Sequence, residues 1–251
     1  MKKILVLLLA ALLFTGCTQT KSKGTLKVLT SSGYPPYEIV NEKGELDGFD
    51  IELGNLIAAE MGYEIEWVDM DFDGIIAALN ADQGDMSLAG FNAAPDRGVD
   101  FSDAYYQDGE SPYWVLTLAS NDWSSADDVK GTTVGIQIGT VQAAAVDSIA
   151  TEFELTKDAR KDIGQMVQEI INGRIDWILI DKTVADQYIA SYTQLTTFEL
   201  QNQNFSDISY NAVALPLGSE LTEEVNAAIA TLKASGKIDE LIAKWFTEEA
   251  E

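Results

Sequence analysis

The chain has 251 residues with 41 acidic side chains, 16 basic ones and no histidine, so its formal net charge is −25. Charge of this sign repels phosphate backbones and argues against nucleic-acid partners. The lack of histidine excludes Ser–His and Cys–His catalytic pairs and histidine metal sites, and the single cysteine excludes internal disulfides and cysteine zinc clusters.

The N-terminal residues have the pattern of an export signal. Two lysines precede an unbroken apolar run over residues 4–13, which is too short to span a bilayer but suits the core of a signal peptide. Residues 14–17, Phe-Thr-Gly-Cys, resemble the lipobox of bacterial lipoproteins, whose cysteine is acylated; a lone cysteine is otherwise a small buried side chain. We expect residues 1–16 to be removed as a signal peptide, Cys17 to carry a lipid such as palmitate, and residues 17–24 to form a linker. That removal leaves 14 basic and 41 acidic residues, a charge of −27.

Strand and helix patterns alternate along the rest of the chain. This alternation predicts an α/β protein with mainly parallel sheets. Residues 75–89 and 167–180 share one order of helix, glycine turn, aspartate and apolar strand, which favours two similar lobes with a ligand cleft at the carboxyl ends of their strands. Strands are predicted at 26–28, 64–68, 86–89, 133–138 and 175–180, and helices at 49–61, 75–79, 163–171, 221–232 and 238–245.

A series of short motifs runs in one order from about residue 24 to residue 246. The motifs are Tyr-Pro-Pro-Tyr at 34–37, Gly-Phe-Asp-Ile-Glu-Leu at 48–53, Asp-Phe-Asp-Gly-Ile-Ile at 71–76, Asp-Arg at 96–97, Asp-Phe-Ser-Asp-Ala-Tyr-Tyr at 100–106, Gly-Ile-Gln-Ile-Gly-Thr at 135–140, Gly-Arg-Ile-Asp at 173–176, Gly-Lys-Ile-Asp at 236–239 and Lys-Trp-Phe at 244–246. This series resembles the polar amino-acid solute-binding proteins of ABC importers, bacterial extracellular solute-binding protein family 3. The resemblance implies a two-lobed periplasmic-binding-protein fold of type II with the ligand cleft between the lobes. Lobe 1 would comprise residues 24–110 and 210–251 and lobe 2 residues 111–209, with crossovers near 111–112 and 207–208.

The resemblance also implies what the protein does. Its lobes would close on a small-molecule amino acid or close derivative, and the closed form would deliver that ligand to an ABC permease in the membrane. We therefore expect an extracytoplasmic, lipid-anchored monomer that needs no cofactor and is not an enzyme. Two alternatives stay open: a periplasmic dehydratase on the same fold, with a carboxylate such as Glu110 as general acid, and a sensor protein that presents its ligand to a receptor.

Two charged residues are the candidates for the ligand's own charges. A free amino acid carries a carboxylate and an ammonium, and both need partners when they are buried. Arg97 suits the carboxylate because a guanidinium binds it bidentately and stays charged; its alternative is a surface pair with Asp96 or Asp100. Asp181 follows an apolar strand, and the matching aspartate of the family takes the ammonium; its alternative is an N-cap of the helix that follows.

Aromatic and backbone groups complete the predicted site. Tyr34 and Phe72 match the aromatic pair with which the family sandwiches the ligand side chain, and core packing is their alternative role. Glycine and helix-start positions can offer backbone N–H groups to an anion. Such donors are expected at or beside Ala89, Gly90, Thr140 and Val141.

Departures from the family pattern bear on the choice of ligand. Asn92 stands where the family usually has Thr or Ser, and Ala94 replaces another usual Thr, so the carboxylate contacts differ and an unmodified α-amino acid is not assured. Ser31 occupies a position at which relatives that bind lysine or arginine carry an aspartate, which argues against a basic ligand. Gln137 lies where lobe 2 meets the ligand side chain and can bond an amide or a hydroxyl. These residues favour a polar, uncharged amino acid.

One motif has the spacing of a calcium loop. Asp69, Asp71 and Asp73 followed by glycine match the opening of an EF-hand. The twelfth loop position holds Asn80 where a bidentate glutamate is needed, and residues 75–79 have a helix pattern. We therefore expect no metal site here.

Overall fold

Two five-stranded sheets form the frame of the computed structural model, which describes residues 22–94, 97–107, 109–205 and 210–246. The predicted signal peptide, Cys17 and most of the linker lie outside the described residues, as do Asp96 and the predicted crossover at 207–208. No helix among the described residues combines the length and the apolar character needed to cross a membrane.

The first sheet is built from residues at both ends of the described chain. Its strand order is β4-β1-β5-β12-β6, with β4 and β5 parallel to β1, and β12 antiparallel to both β5 and β6. In the central register, Val28 lies opposite Trp67 on one side and Met86 on the other. The strands are β1 (Thr25–Thr30), β4 (Glu64–Asp69), β5 (Met86–Ser87), β6 (Asp100–Phe101) and β12 (Ala214–Leu215), and a separate hairpin joins β2 (Ile39–Val40) to β3 (Leu46–Asp47).

The second sheet is built from the middle of the chain. Its order is β11-β7-β10-β8-β9, with β10, β8 and β9 mutually parallel, and β7 antiparallel to both β10 and β11. The buried strand β10 carries Trp177 and Ile178 opposite Val134 and Gly135 of β8. The strands are β7 (Trp114–Leu118), β8 (Thr133–Gln137), β9 (Thr156–Arg160), β10 (Trp177–Ile180) and β11 (Leu195–Glu199).

The expectation of mainly parallel sheets is wrong, because each described sheet has two parallel and two antiparallel strand pairs. The antiparallel pairs lie where the chain changes sheets. It passes from β6 to β7 and from β11 to β12 with no α-helix in the described part of either passage. A strand that joins a sheet without a crossover helix pairs antiparallel more readily, since parallel neighbours need a long return connection.

Helices cover the sheets, and their ends have identifiable causes. α1 (Phe49–Met61) ends at Gly62, whose left-handed backbone directs its N–H to the carbonyls of Ala58 and Ala59. α4 (Ile163–Ile171) begins where Asp162 accepts a hydrogen bond from Gln165 N, and its prediction is confirmed. The remaining described helices are α2 (Phe72–Asn80), α3 (Val141–Ile149), α5 (Lys182–Ser191), α6 (Leu221–Ala234) and α7 (Lys237–Phe246).

Candidate functional site

A cavity lies between the two sheets, with about 460 Å³ of empty space when the open solvent at its mouth is included. Its walls come from the segments after β1 and β5, from the ends of β8 and β10, and from the starts of α2, α3 and α4. Most of the cavity therefore lies beyond the carboxyl ends of strands, where the alternation of elements predicts a ligand. Ten of the eleven predicted ligand-binding residues line it, and their binding roles stay predictions: Ser31, Tyr34, Phe72, Ala89, Gly90, Asn92, Arg97, Gln137, Thr140 and Val141.

Arg97 bridges the two sheets at the cavity wall. Its guanidinium donates to the carbonyl oxygen of Asn92 at 3.1 Å and to that of Gly139, on the opposite side, at 2.6 Å. No described carboxylate pairs with it, whereas the other two arginines, Arg160 and Arg174, pair with nearby acids. A partly buried cation with only carbonyl partners leaves room for an anionic group of a ligand.

Aromatic rings surround Arg97, which argues against its alternative role in a surface ion pair with Asp96 or Asp100. The guanidinium carbon lies 4.8 Å from the ring centroid of Phe91 and 5.7 Å from that of Phe72. Burial lowers the pKa of Arg97 to about 10, so the side chain stays charged at neutral pH. Asp100, one proposed surface partner, instead accepts a hydrogen bond from Gly218 N, and Asp96 lies outside the described residues.

Asp181 sits at the end of β10 with its carboxylate directed across to the first sheet. It accepts hydrogen bonds from Tyr34 Oη at 2.5 Å, from Asn92 Nδ2 at 3.1 Å and from Gln142 Nε2 at 3.3 Å. The residue occupies the N-cap position of α5, but its side chain makes no capping hydrogen bond. Asp181, which is 8% exposed, is the predicted ligand-binding residue that does not itself line the cavity, although its three donors do. It lies behind the wall and lines a second pocket together with Asn92, Glu110 and Tyr210.

Gly90 is predicted to donate its N–H to the ligand, but the structure gives that N–H a partner within the chain. Its N–H, an expected donor to the ligand, instead donates to Asp50 Oδ2 at 2.7 Å. The residue has a φ of +58°, and a Cβ built on it would lie 2.8 Å from Cδ1 of Tyr34. Glycine is thus required here both by backbone conformation and by the close approach of the Tyr34 ring.

Asp50 is a wholly buried carboxylate behind this wall. Its Oδ2 accepts from Tyr105 Oη at 2.9 Å as well as from Gly90 N, and its Oδ1 has no hydrogen-bond partner among the described residues. Burial raises the pKa of Asp50 to about 7, against the lowering effect of the two donated hydrogen bonds. The wall therefore depends on a carboxyl group that titrates near neutral pH.

Thr140 begins α3 and fixes the second sheet's side of the cavity. Its Oγ1 accepts from Ala143 N at 3.0 Å and donates to Gln137 O at 2.8 Å. The Thr140 N–H is directed to Gln137 O at 3.4 Å, so this predicted donor has a partner within the chain. The first turn of α3, starting at Val141, brings the positive end of a helix to the cavity.

The two predicted aromatic residues line the cavity and also pack in the core. Phe72 lines the cavity and packs on Phe91, with ring centroids 4.7 Å apart. Tyr34 lines the cavity and stacks on Tyr37 at 5.7 Å. Core packing therefore holds both rings in place at the cavity wall, and their contact with the ligand side chain stays a prediction.

Sequence reasoning missed five cavity residues, Glu38, Gln142, Ile163, Leu179 and Ile180. Glu38 is the most consequential because it is a carboxylate only 1% exposed, and its Oε2 has no hydrogen-bond partner among the described residues. Burial, with Asp50 next in effect, raises the pKa of Glu38 well above its ordinary value. Its position directly after the motif at 34–37 was an available signal, but a single glutamate before a two-residue strand has no periodicity to mark it as buried.

The carboxylates of the calcium-like motif have other partners. Asp69 accepts hydrogen bonds from Ser32 N and Oγ. Asp71 forms an ion pair at 2.6 Å with Lys161, which follows β9 of the second sheet. α2 already begins at Phe72, so the chain is helical where an EF-hand needs a loop. Within the part of the chain that is described, three or more acidic, cysteine or histidine side chains do not cluster as metal ligands would.

Several known proteins are similar to this chain in sequence and in fold. The arginine-binding extracellular protein ArtP of Bacillus subtilis (strain 168) is 35% identical over 259 residues, covering 99% of this chain and 100% of that protein. The structure of an ancestral arginine-binding protein bound to arginine matches with a TM-score of 0.82 at 33% identity, covering 90% of this chain and 99% of that one. The structure of an ancestral arginine-binding protein bound to glutamine matches with a TM-score of 0.81 at 33% identity, with the same coverage. Residues 26–248 match the family model of the bacterial extracellular solute-binding proteins, family 3, and the chain belongs to that family.

Proposed function

We propose that the protein is the amino-acid-binding component of an ABC importer. The observation that carries this proposal is a cation in the cavity wall with a buried carboxylate directly behind that wall. Among the described residues, the hydrogen-bond partners of Arg97 are carbonyl oxygens, and Asp181 is hydrogen-bonded to the cavity residues Tyr34, Asn92 and Gln142. A cation and a carboxylate placed in this way could pair with the carboxylate and the ammonium of a zwitterion.

The ligand's side chain would lie between Tyr34 and Phe72 and meet polar groups beyond them. Gln137 and Ser31 agree with the polar, uncharged side chain favoured by the sequence. Glu38 adds a buried acceptor to that wall, so the ligand should carry N–H donors. We therefore propose either an amide side chain, which matches the uncharged ligand favoured by the sequence, or a guanidinium, which departs from that preference. Relatives named for arginine and a structure bound to glutamine support both.

Capture would proceed by closure of two lobes, residues 24–110 with 210–251 against 111–209. The contacts from Arg97 to Gly139 and from Tyr34 to Asp181 join the two sides, and a zwitterion bound between them would add contacts available only in the closed state. As a member of an extracellular solute-binding family, the protein acts outside the cytoplasmic membrane. Its partners would be a lipid anchor on Cys17 and a membrane permease that receives the ligand from the closed monomer.

A ligand screen tests the proposal. Thermal-shift measurements would cover the twenty amino acids, amidated and esterified derivatives and short peptides, followed by calorimetry on the hits. We expect glutamine or arginine among the strongest stabilisers, since at equal concentration the ligand that binds more tightly stabilises the folded protein more. If no amino-acid-like ligand binds, the proposal is overturned. If the protein turns over prephenate or arogenate, the enzyme alternative replaces it.

A further inference from the structure

Glu38 is a buried acid without a counter-charge at the cavity wall. The residue is 1% exposed, and its Oε2 has no hydrogen-bond partner among the described residues. None of the described lysines or arginines forms an ion pair with it. An ionised carboxylate in such a place lacks both solvent and a cation, so the neutral acid is favoured while the cavity holds no ligand.

The groups that face Glu38 strengthen this preference. Asp50 approaches from α1, Asp69 from the end of β4 and Asp181 from the end of β10, and each raises the cost of ionising Glu38. Tyr34 and Tyr105 are the neighbouring hydroxyls whose own ionisation Glu38 opposes. Among described residues, Arg97 is the cation that lines the cavity, and its hydrogen bonds go to carbonyl oxygens on the cavity wall.

We infer that a ligand with a cationic side chain displaces a proton from Glu38 as it binds, so that capture of the ligand and release of the proton are coupled. This inference rests on the proposed function. The O–H bond of Glu38 breaks, the proton passes to solvent, and the carboxylate pairs with the incoming guanidinium or ammonium. One positive charge enters as another leaves, so the buried wall never holds an unpaired charge.

The coupling distinguishes a cationic ligand from an amide ligand. By linkage, the affinity for arginine should rise with pH by up to about tenfold per pH unit over the range in which Glu38 is protonated in the empty protein. Glutamine, whose side chain brings no charge, should bind with little change in the protonation of Glu38. The same protein would therefore bind one ligand with a pH dependence and the other without it.

Calorimetric titration tests the coupling directly. Arginine and glutamine would each be titrated into the full mature chain at several pH values, in pairs of buffers with different ionisation enthalpies, which reports the protons released per ligand. We expect release approaching one proton for arginine at the lower pH values and almost none for glutamine. Arginine binding with no proton release across about pH 5.5 to 8 would overturn the inference while leaving the proposed function intact.

Two variants locate the source of the proton. Glu38→Gln should abolish proton release with arginine and weaken arginine more than glutamine, whereas Glu42→Gln, on the exposed loop nearby, should behave like wild type. Proton release that persists in a folded Glu38→Gln variant would overturn the assignment; if that variant does not fold, the wild-type comparison still decides. If arginine fails to bind the inference falls, and if glutamine and the other amino acids also fail the proposed function falls with it.

Discussion

Tyr34 Oη donates a hydrogen bond of 2.5 Å to Asp181 Oδ2, joining the segment after β1 in the first sheet to the end of β10 in the second. Asn92 and Gln142 donate to the same carboxylate. All three donors are neutral groups, and they fix the geometry of the carboxylate. In the proposed complex the ligand's ammonium would take its place among these donors.

Replacing Asp181 by alanine should remove the proposed ammonium partner. We expect a loss of about 2–5 kcal/mol of ligand binding, the usual range for truncating one member of a buried charge pair. Calorimetry with the ligand found in the screen would measure it, with Asp127→Ala as the control because Asp127 lies in an exposed ion pair with Lys130. Near-wild-type affinity for Asp181→Ala would contradict the zwitterion arrangement.

Replacing Arg97 by alanine should have an effect of similar size on the carboxylate end, about 2–5 kcal/mol. The change also removes the contact to Gly139 across the cavity, so closure should become less favourable as well. Comparing a free amino acid with its amide separates the two effects. The amide should lose less affinity than the acid, whereas equal losses would show that Arg97 acts only through the bridge; Arg174→Ala, in an exposed pair with Glu169, is the matched control.

Local sequence patterns predicted the elements that carry strong signals. α1 ends at Gly62 and α4 starts at Asp162 as their capping residues require, and the apolar strand β10 leads to Asp181 as expected. Elements with a weak period were missed, and so was the apolar strand β7. α3 is rich in alanine, and β9 is mostly polar, so neither has the apolar periodicity that marks an amphipathic element.

Some features of the candidate site could be predicted from local motifs, whereas others depend on the tertiary structure. Arg97 and Asp181 became candidates through their match to the family's motifs, and the structure places Arg97 in the cavity wall and Asp181 behind it. The burial of Glu38 and the partner of the Gly90 N–H depend on how the two sheets and α1 meet, which no local pattern contains. The sequence-based preference for an uncharged ligand side chain therefore took no account of Glu38, the buried acid that lines the cavity.

Replacing Gly90 by alanine should destabilise the protein and weaken ligand binding together. The residue has a φ of +58°, and the new Cβ would meet the Tyr34 ring at 2.8 Å. Gly131→Ala is the matched control, since Gly131 has a φ of +73° but nothing within 4 Å of its Cβ position. The control should report the backbone strain alone, about 1 kcal/mol. Gly90→Ala should cost more in chemical unfolding and also lower affinity; equal effects of the two variants would contradict the contact with Tyr34.

The buried Asp50 predicts that stability falls as the solution becomes neutral. Its pKa is about 7 in the folded protein, against about 3.9 in an unfolded chain. Because the folded state holds this proton more tightly, its contribution is fully present below about pH 4 and is lost as pH rises through about 7. The shift corresponds to an order of about 4 kcal/mol, and Glu38 acts in the same direction.

Urea unfolding at a series of pH values, on wild type and on Asp50→Asn, measures this contribution. Asparagine imitates the neutral acid, since its oxygen can accept from Gly90 N and Tyr105 Oη while its amide takes the place of the unpartnered Oδ1. The variant should therefore lose less stability than wild type between about pH 4 and 7. Parallel pH profiles for the two proteins would mean that Asp50 is already ionised in the folded state, with its charge stabilised by the two hydrogen bonds it accepts.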